Sequence, residues 1–318
     1  MTSTQRTAVE PRRWTLHGLN NGWLFRTTVR GVTVLPRPMS YAIGHAGTWI
    51  AWRLMAQSNA ALADNLRVLF PDADEAALQR RALATYRAYA QDTIDFLRSL
   101  DAGPEDLGRL FVIPDSTERL FRALLMDGRG FLLVTGHYGN WEVGSALMRA
   151  LNLPLTVIAM PEADLGVNDM RRAIRDRLGT DTLEVRQSMD TALQIRRRLH
   201  EGRSVALLMD RHIGRDRVQV DFLGKQAWFL RTPAVLARLS GAPMVPCFIE
   251  RMGPGRFLAQ ADAPIYVDAD GDRDAAVRRA TQRFATSLEA RVRAHPEFWY
   301  HFYRYWDAQA DDYSPDQV

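Results

Sequence analysis

From Phe111 onward the chain alternates short apolar runs with stretches of helical composition, and this alternation narrows the possible folds more than any other feature. Gly130-Phe-Leu-Leu-Val-Thr135 is short, apolar and bounded by glycines, as a strand buried on both faces of a parallel sheet should be. A helix over 141–151 follows, then strands Leu155–Ala159 and Ser204–Met209, with an arginine-rich helix Met170–Leu178 and a second helix Met189–His200 between them. Val218–Phe222, Met244–Ile249 and Phe257–Val267 read as further strands. Thr232–Leu239 reads as a helix that tolerates Pro233 in its first turn, and Arg273–His295 as one long helix. The expected fold class is α/β, a mostly parallel sheet flanked by helices. Upstream, residues 60–100 read as helices broken at Phe70-Pro71-Asp72, with Asp74-Glu75 opening a long amphipathic stretch.

Three regions are expected: an N-terminal amphipathic, membrane-associating helical segment over 1–59, an α/β domain over 60–307, and a polar tail over 308–318. The first rests on a mixture of rings and guanidinium groups between residues 12 and 53. Trp14, Trp23, Phe25, Tyr41, Trp49 and Trp52 alternate with Arg12, Arg13, Arg26, Arg30, Arg37 and Arg53. Rings sit at headgroup level in a bilayer and guanidinium groups meet lipid phosphate, so this mixture suits a membrane interface. A helical hairpin packing its apolar stripe on the main core is the other reading. No cleavable signal peptide or transmembrane span is visible. Tyr41–Met55 is short and carries His45 and Arg53, well under the ~20 apolar residues that a crossing needs.

Composition decides less. The 318 residues are 47% hydrophobic, enough for a sizeable core. Lys225 is the only lysine, so the basic charge is carried by arginine forks that bind phosphate and carboxylate bidentately. A G+C-rich genome would give the same bias. The single cysteine, Cys247, excludes an internal disulfide and a Cys-rich metal site. Its apolar surroundings, Met244-Val-Pro-Cys-Phe-Ile249, read as a buried structural thiol.

His137-Tyr-Gly-Asn-Trp-Glu142 carries the chemistry. His137 falls at the carboxyl end of a strand, where ligands bind in open α/β sheets. Asn140 is available as an N-cap, and Glu142 falls in the first helical turn, where the helix dipole favours its ionised form. From there a carboxylate can hold one imidazole nitrogen and leave the other as a base. A helix cap with one buried hydrogen bond is the plainer reading. The pattern is not His-Glu-x-x-His, so no zinc site is expected. Asp210-Arg211 follows the strand ending at Met209 and should line the same sheet edge, as an anionic-substrate pocket or as a loop-closing ion pair.

Taken in order, Gly136-His-Tyr-Gly-Asn-Trp-Glu142, Met209-Asp-Arg211, Val220-Asp-Phe-Leu-Gly224, Thr232-Pro-Ala, Gly241-Ala-Pro-Met-Val-Pro246 and His295-Pro-Glu-Phe-Trp-Tyr300 resemble the bacterial lipid A biosynthesis acyltransferases. These belong to the lysophospholipid acyltransferase superfamily. Asn65 and Phe70-Pro71 resemble that family's N-terminal region, so the likeness spans nearly the whole chain. It implies an O-acyltransferase with His137 as catalytic histidine, Glu142 as its acidic partner in an H-x4-E motif, and Arg175 and Asp210 in contact with substrate. Asn140 is placed with the substrate-binding residues. Arg211 stands where many of these enzymes carry glutamine, and an Asp-Arg pair is more similar to phosphatidylinositol mannoside acyltransferases.

The resemblance further implies an acyl carrier protein or coenzyme A thioester as donor and a glycolipid such as a lipid A precursor as acceptor. It places the work at the cytoplasmic face of the bacterial inner membrane, with no bound cofactor and no nucleic acid. Without a Gly-x-Ser-x-Gly elbow, direct transfer is expected in place of an acyl-enzyme. Amides of the Gly139-Asn140 turn or a side chain such as Arg175 would then meet the oxyanion. A thioester or ester hydrolase using the same pair is the alternative.

Overall fold

The computed structural model describes residues 31–306, apart from 33, 101, 160–173, 177 and 185–188. Helices α1 (Arg37–Leu54), α2 (Ala56–Leu69), α3 (Glu75–Ser99) and α4 (Pro104–Leu110) come first. The sheet region then runs β1 (Phe111–Val112), α5 (Asp115–Met126), β2 (Phe131–Thr135), a 3-10 turn Trp141–Val143, α6 (Gly144–Ala150), β3 (Leu155–Ala159), β4 (Asp181–Glu184), α7 (Met189–His200) and β5 (Ser204–Leu208). It continues with β6 (Arg217–Phe222), β7 (Lys225–Leu230), α8 (Thr232–Ser240), β8 (Met244–Gly253), β9 (Arg256–Ala261) and α9 (Arg273–Ala294).

Seven strands form one sheet in the order β1-β9-β8-β2-β5-β3-β4, parallel throughout except for the β8–β9 pair. β2 lies at its centre and is buried on both faces, as its unbroken apolar run demands. Side chains alternate across a strand. Leu132 and Val134 accordingly join a core with Val277, Phe284 and Leu288 of α9, whereas Phe131 and Leu133 join a second core with Leu147 of α6 and Leu97 of α3. The expected α/β class is the one observed.

The reading differs in detail from the structure. The strand expected over Phe257–Val267 ends at Ala261; Pro264 has no N–H for a ladder, and only Ile265 returns to pair with Met244. The expected helix over 141–151 starts as a 3-10 turn. Asp115–Met126 and Lys225–Leu230, unassigned from sequence, are α5 and β7. Leu223 and Gly224, both at positive φ (55° and 79°), close the two-residue turn that joins β6 to β7. The Val220–Gly224 motif is therefore a hairpin end. It is clamped to α9 by Gln282 and Glu289, which accept from the Asp221 and Leu223 amides at 2.8 and 2.7 Å.

α2 and α3 form an antiparallel pair in which Leu62, Ala63 and Leu66 pack on Leu78, Ala82 and Tyr86. Asp74 caps α3 by accepting from the Ala77 amide. The boundary expected between residues 59 and 60 falls inside α2. α1 lies against α3 on one face, with Tyr41, His45 and Trp52 turned inward, Trp52 edge-on to Tyr86 at 5.7 Å. Its other face presents Met39, Ile43, Trp49, Ile50 and Leu54, each about half exposed or more. Trp14, Trp23 and Phe25, the arginine-rich stretch up to Arg172, and the tail beyond 307 lie outside the described residues. Among the described residues no helix is long and apolar enough to cross a membrane.

Candidate active site

The parallel register builds the site. Thr135 at the end of β2 pairs with Leu208 at the end of β5, so two residues further on His137 comes to face Asp210. His137 Nδ1 lies 2.7 Å from Asp210 Oδ1, and the His137 amide donates to Oδ2, also at 2.7 Å. Asp210 is fully buried. Its Oδ2 takes a third contact from a residue that the sequence reading missed: His301 Nε2, at 2.9 Å. Two glycines make this approach possible. A Cβ on Gly136 would stand 3.0 Å from Asp210 Oδ2 and 2.9 Å from Leu288, and one on Gly139 (φ 61°) would stand 2.2 Å from the Ile249 carbonyl oxygen.

A C-terminal strap, residues 298–306, completes the site. It pairs with the His137 loop: Gly139 N donates to Phe298 O, and Tyr300 N to His137 O, both at 2.8 Å. His301 then lies under His137, ring centroids 5.6 Å apart, and its Nδ1 lies 3.2 Å from the Tyr303 hydroxyl. Tyr305 donates its hydroxyl to the Asp210 carbonyl at 2.8 Å. Buried Asn65 on α2 anchors the strap, donating to the His301 and Tyr303 carbonyls at 3.0 and 2.8 Å and accepting from the Tyr305 amide. Histidine inside the aromatic run Phe298–Trp306 was the available signal for His301, but only the fold-back of the strap gives it a partner.

Electrostatics separate the three groups. Burial lowers the pKa of His137, the nearby Arg211 guanidinium lowers it further, and the Asp210 and Glu142 carboxylates only partly restore it. His301 is driven down to about 3 by burial and by Arg211, so it is a neutral donor to Asp210. Burial alone would raise the Asp210 carboxyl. The facing His137 imidazole and the N–H donors of both histidines outweigh it and hold the acid well below the usual carboxylate range. The ligand atoms of the trio fall within 4.8 Å of one another, a spacing that two hydrogen bonds to one carboxylate produce by themselves.

The expected site residues divide accordingly. Asp210, expected to touch substrate, is instead the group holding His137 Nδ1, the position expected for Glu142. Glu142 bears on His137 through its charge. Asn140 is buried and its side chain makes no helix-capping hydrogen bond; its Nδ2 donates to the Asp92 carbonyl at 2.9 Å. The Gly139 and Asn140 amides are spent on Phe298 O and Ile249 O, so this turn is not an oxyanion hole. Arg211 joins the site: it donates to Tyr300 O at 3.0 Å, lies 5.2 Å from the Tyr303 ring, and forms no ion pair with Asp210. Arg175 does not join it. Its Nη1 lies 3.4 Å from Thr182 on edge strand β4, three strands or roughly 14 Å across the sheet from β2. Burial, with Asp262 nearby, pushes the Cys247 thiol well up, as befits a structural cysteine.

Residues 9–308 match the family of bacterial lipid A biosynthesis acyltransferases. The chain belongs to this family. As an acyltransferase it requires an acyl donor and a lipid acceptor. The phosphatidylinositol mannoside acyltransferase of Mycolicibacterium smegmatis is 28% identical over 239 residues, 74% of each chain. The enzyme of that name from Mycobacterium tuberculosis is 26% identical over 193 residues, 60% of this chain and 58% of its own.

Proposed function

We propose that this acyltransferase moves a fatty acyl chain from an acyl carrier protein or coenzyme A thioester to a hydroxyl of a phosphate-bearing glycolipid, by direct transfer with His137 as base. One observation carries the reading. His137 is partly open, 19% exposed, while its Nδ1 is taken by a buried carboxylate, and among the described residues none hydrogen-bonds Nε2. With Nδ1–H donated to Asp210, Nε2 is the basic nitrogen. It accepts the acceptor's hydroxyl proton as that oxygen attacks the thioester carbonyl. The tetrahedral adduct collapses with loss of the thiolate, and Nε2–H protonates the leaving sulfur. Asp210 stays ionised and steadies the imidazolium, as the acid of a Ser-His-Asp triad does. Glu142 adds a second negative charge near the ring. Arg211 is the cation for anionic groups of the substrates and for the developing oxyanion. No bound cofactor is needed, because the acyl donor is itself a substrate.

The outward stripe of α1, with Arg53 stacked over Trp49 at 4.4 Å, supports docking on an anionic bilayer surface, which we place at the cytoplasmic face of the plasma membrane. Because two curated relatives are named for it, a phosphatidylinositol mannoside is the first acceptor to test, with a lipid A precursor beside it. Purified protein is incubated with palmitoyl-CoA or palmitoyl-acyl carrier protein, with and without each acceptor in vesicles, and the products are analysed by mass spectrometry. Acylated acceptor formed by wild type and not by His137→Ala is expected. Free fatty acid formed equally without acceptor would establish a hydrolase instead.

A further inference from the structure

Asp92 and Asp95 lie on one face of α3, one turn apart and both buried, in the middle of the molecule. Asp95 serves the N-terminal helix: it accepts from the Tyr41 hydroxyl at 2.6 Å, faces Arg37 at 3.2 Å, and takes the Gly255 amide at the tip of the β8–β9 hairpin. Asp92 points the other way, toward the active site, and meets three segments that build it. Its Oδ2 accepts from the Tyr300 hydroxyl of the strap at 2.5 Å, and its Oδ1 from Arg251 Nε of β8 at 2.9 Å. Its main-chain carbonyl accepts from Asn140 of the His137 loop at 2.9 Å.

These contacts reach the base by a short route. The main chain of His137 is held at both ends, its N–H by Asp210 and its carbonyl by the Tyr300 amide. Tyr300, in turn, has its hydroxyl fixed by Asp92 and its ring against Trp141 at 6.0 Å and Tyr89 at 5.1 Å. Rigid support of this kind decides whether a base stays within a fraction of an ångström of productive geometry. The support is held against a cost. Burial raises the Asp92 carboxyl to about 6, with Arg251 and Tyr300 pulling it back and Asp95 adding to the rise. Burying an acid this way without a geometric use would be replaced at little loss by apolar packing.

We propose that Asp92 is a positioning residue for acyl transfer: through Tyr300 it fixes the strap, and through the strap the main chain of His137. The proposal rests on the functional reading above in taking His137 as the base. Its principal test is Tyr300→Phe in the full chain, which removes one hydroxyl and leaves the Asp92–Arg251 pair intact. Asp92→Asn and the double variant accompany it. Two measurements are made: hydrogen exchange of backbone amides by mass spectrometry, and turnover of palmitoyl-CoA with a phosphatidylinositol mannoside in vesicles.

In Tyr300→Phe, exchange over residues 136–143 should quicken about tenfold while α9 and the central strands keep wild-type protection. kcat should fall roughly tenfold with KM within about twofold. Adding Asp92→Asn should lower kcat by no more than about a further twofold, because both substitutions cut one link. Wild-type exchange over 136–143 would overturn the proposal, as would loosening spread over the whole chain, or a loss residing in KM. If wild type turns over neither substrate, the functional reading falls, and the exchange measurement still decides whether Asp92 braces the loop.

Discussion

Asp210 and Asp92 are buried carboxylates that both contact the strap, and their opposite treatment separates a partner of the His137 ring from a brace. Asp210 follows a central strand and receives three N–H contacts, two of them from imidazole nitrogens; it is held ionised far below the usual range. Asp92, on a helix, receives a guanidinium and a phenol and is nonetheless raised to about 6. Burial acts on both in the same direction, so the difference lies in the donors each acid meets. In the proposed reaction Asp210 would balance the positive charge that appears on His137. Asp92 balances a permanent one, and its contacts set position.

The largest effect should come from the Asp210 side. His137→Ala should abolish transfer, a loss of at least ~10³-fold, and Asp210→Asn should cost on the order of 10³-fold in kcat in protein that still folds. Glu142→Ala should cost about 10²-fold, the smaller value because its charge acts on His137 without holding Nδ1. A larger loss from Glu142 than from Asp210 in steady-state kinetics would invert the comparison and restore Glu142 as the main partner.

The pH profile sharpens it next. A base must be neutral, so kcat/KM should rise with pH and level off below the ordinary histidine pKa, since burial and Arg211 lower that of His137. Removing the cation with Arg211→Gln should move the acid limb to higher pH. Removing the anion with Asp210→Asn should move the limb of its residual activity to lower pH. Shifts in the same direction would show that neither charge governs the base.

Stability tests the other carboxylate. A raised native pKa favours the folded state fully only below the unfolded value near 3.8, and the contribution is lost as pH rises through about 6. On this count wild type should lose stability relative to Asp92→Asn between about pH 4 and 7, on the order of 3 kcal/mol for a shift of some two units. Asp210 behaves oppositely, its contribution present at neutral pH and lost on acidification. Melting curves of wild type and Asp92→Asn across this range decide the point; a difference independent of pH would mean that Asp92 keeps an ordinary carboxyl. The smallest effect is expected at Cys247→Ser, whose transfer rate should stay within about twofold of wild type, as a thiol outside the chemistry requires. A large loss there would point to an acyl-enzyme on sulfur.

The strands and the place of His137 were legible in the chain because a strand buried on both faces must be apolar without interruption, and Phe131–Val134 permits nothing else. The long helix α9 and the break at Phe70-Pro71-Asp72 were legible from local periodicity and caps. Family membership was legible in the ordered motifs. The partner of His137 was not. Glu142 is five residues away along the chain, and short separation made it the natural choice. Asp210 is 73 residues away, and only the pairing of β2 with β5 in one register brings it to Nδ1. The surroundings of Arg175 and Asn140 were hidden for the same reason: a polar residue near a motif says nothing of which way the backbone carries it, and one lies by the sheet's edge strand and the other is buried. His301 reaches Asp210, Tyr300 reaches Asp92 and Asn65 reaches His301 across 91, 208 and 236 residues of chain. The sequence alone indicated the α/β alternation, most of the strands and helices, and the strand end at which His137 stands. Tertiary structure decided what holds that residue, because hydrogen bonds between distant segments depend on sheet register and the fold-back of the strap, and neither leaves a local pattern in the chain.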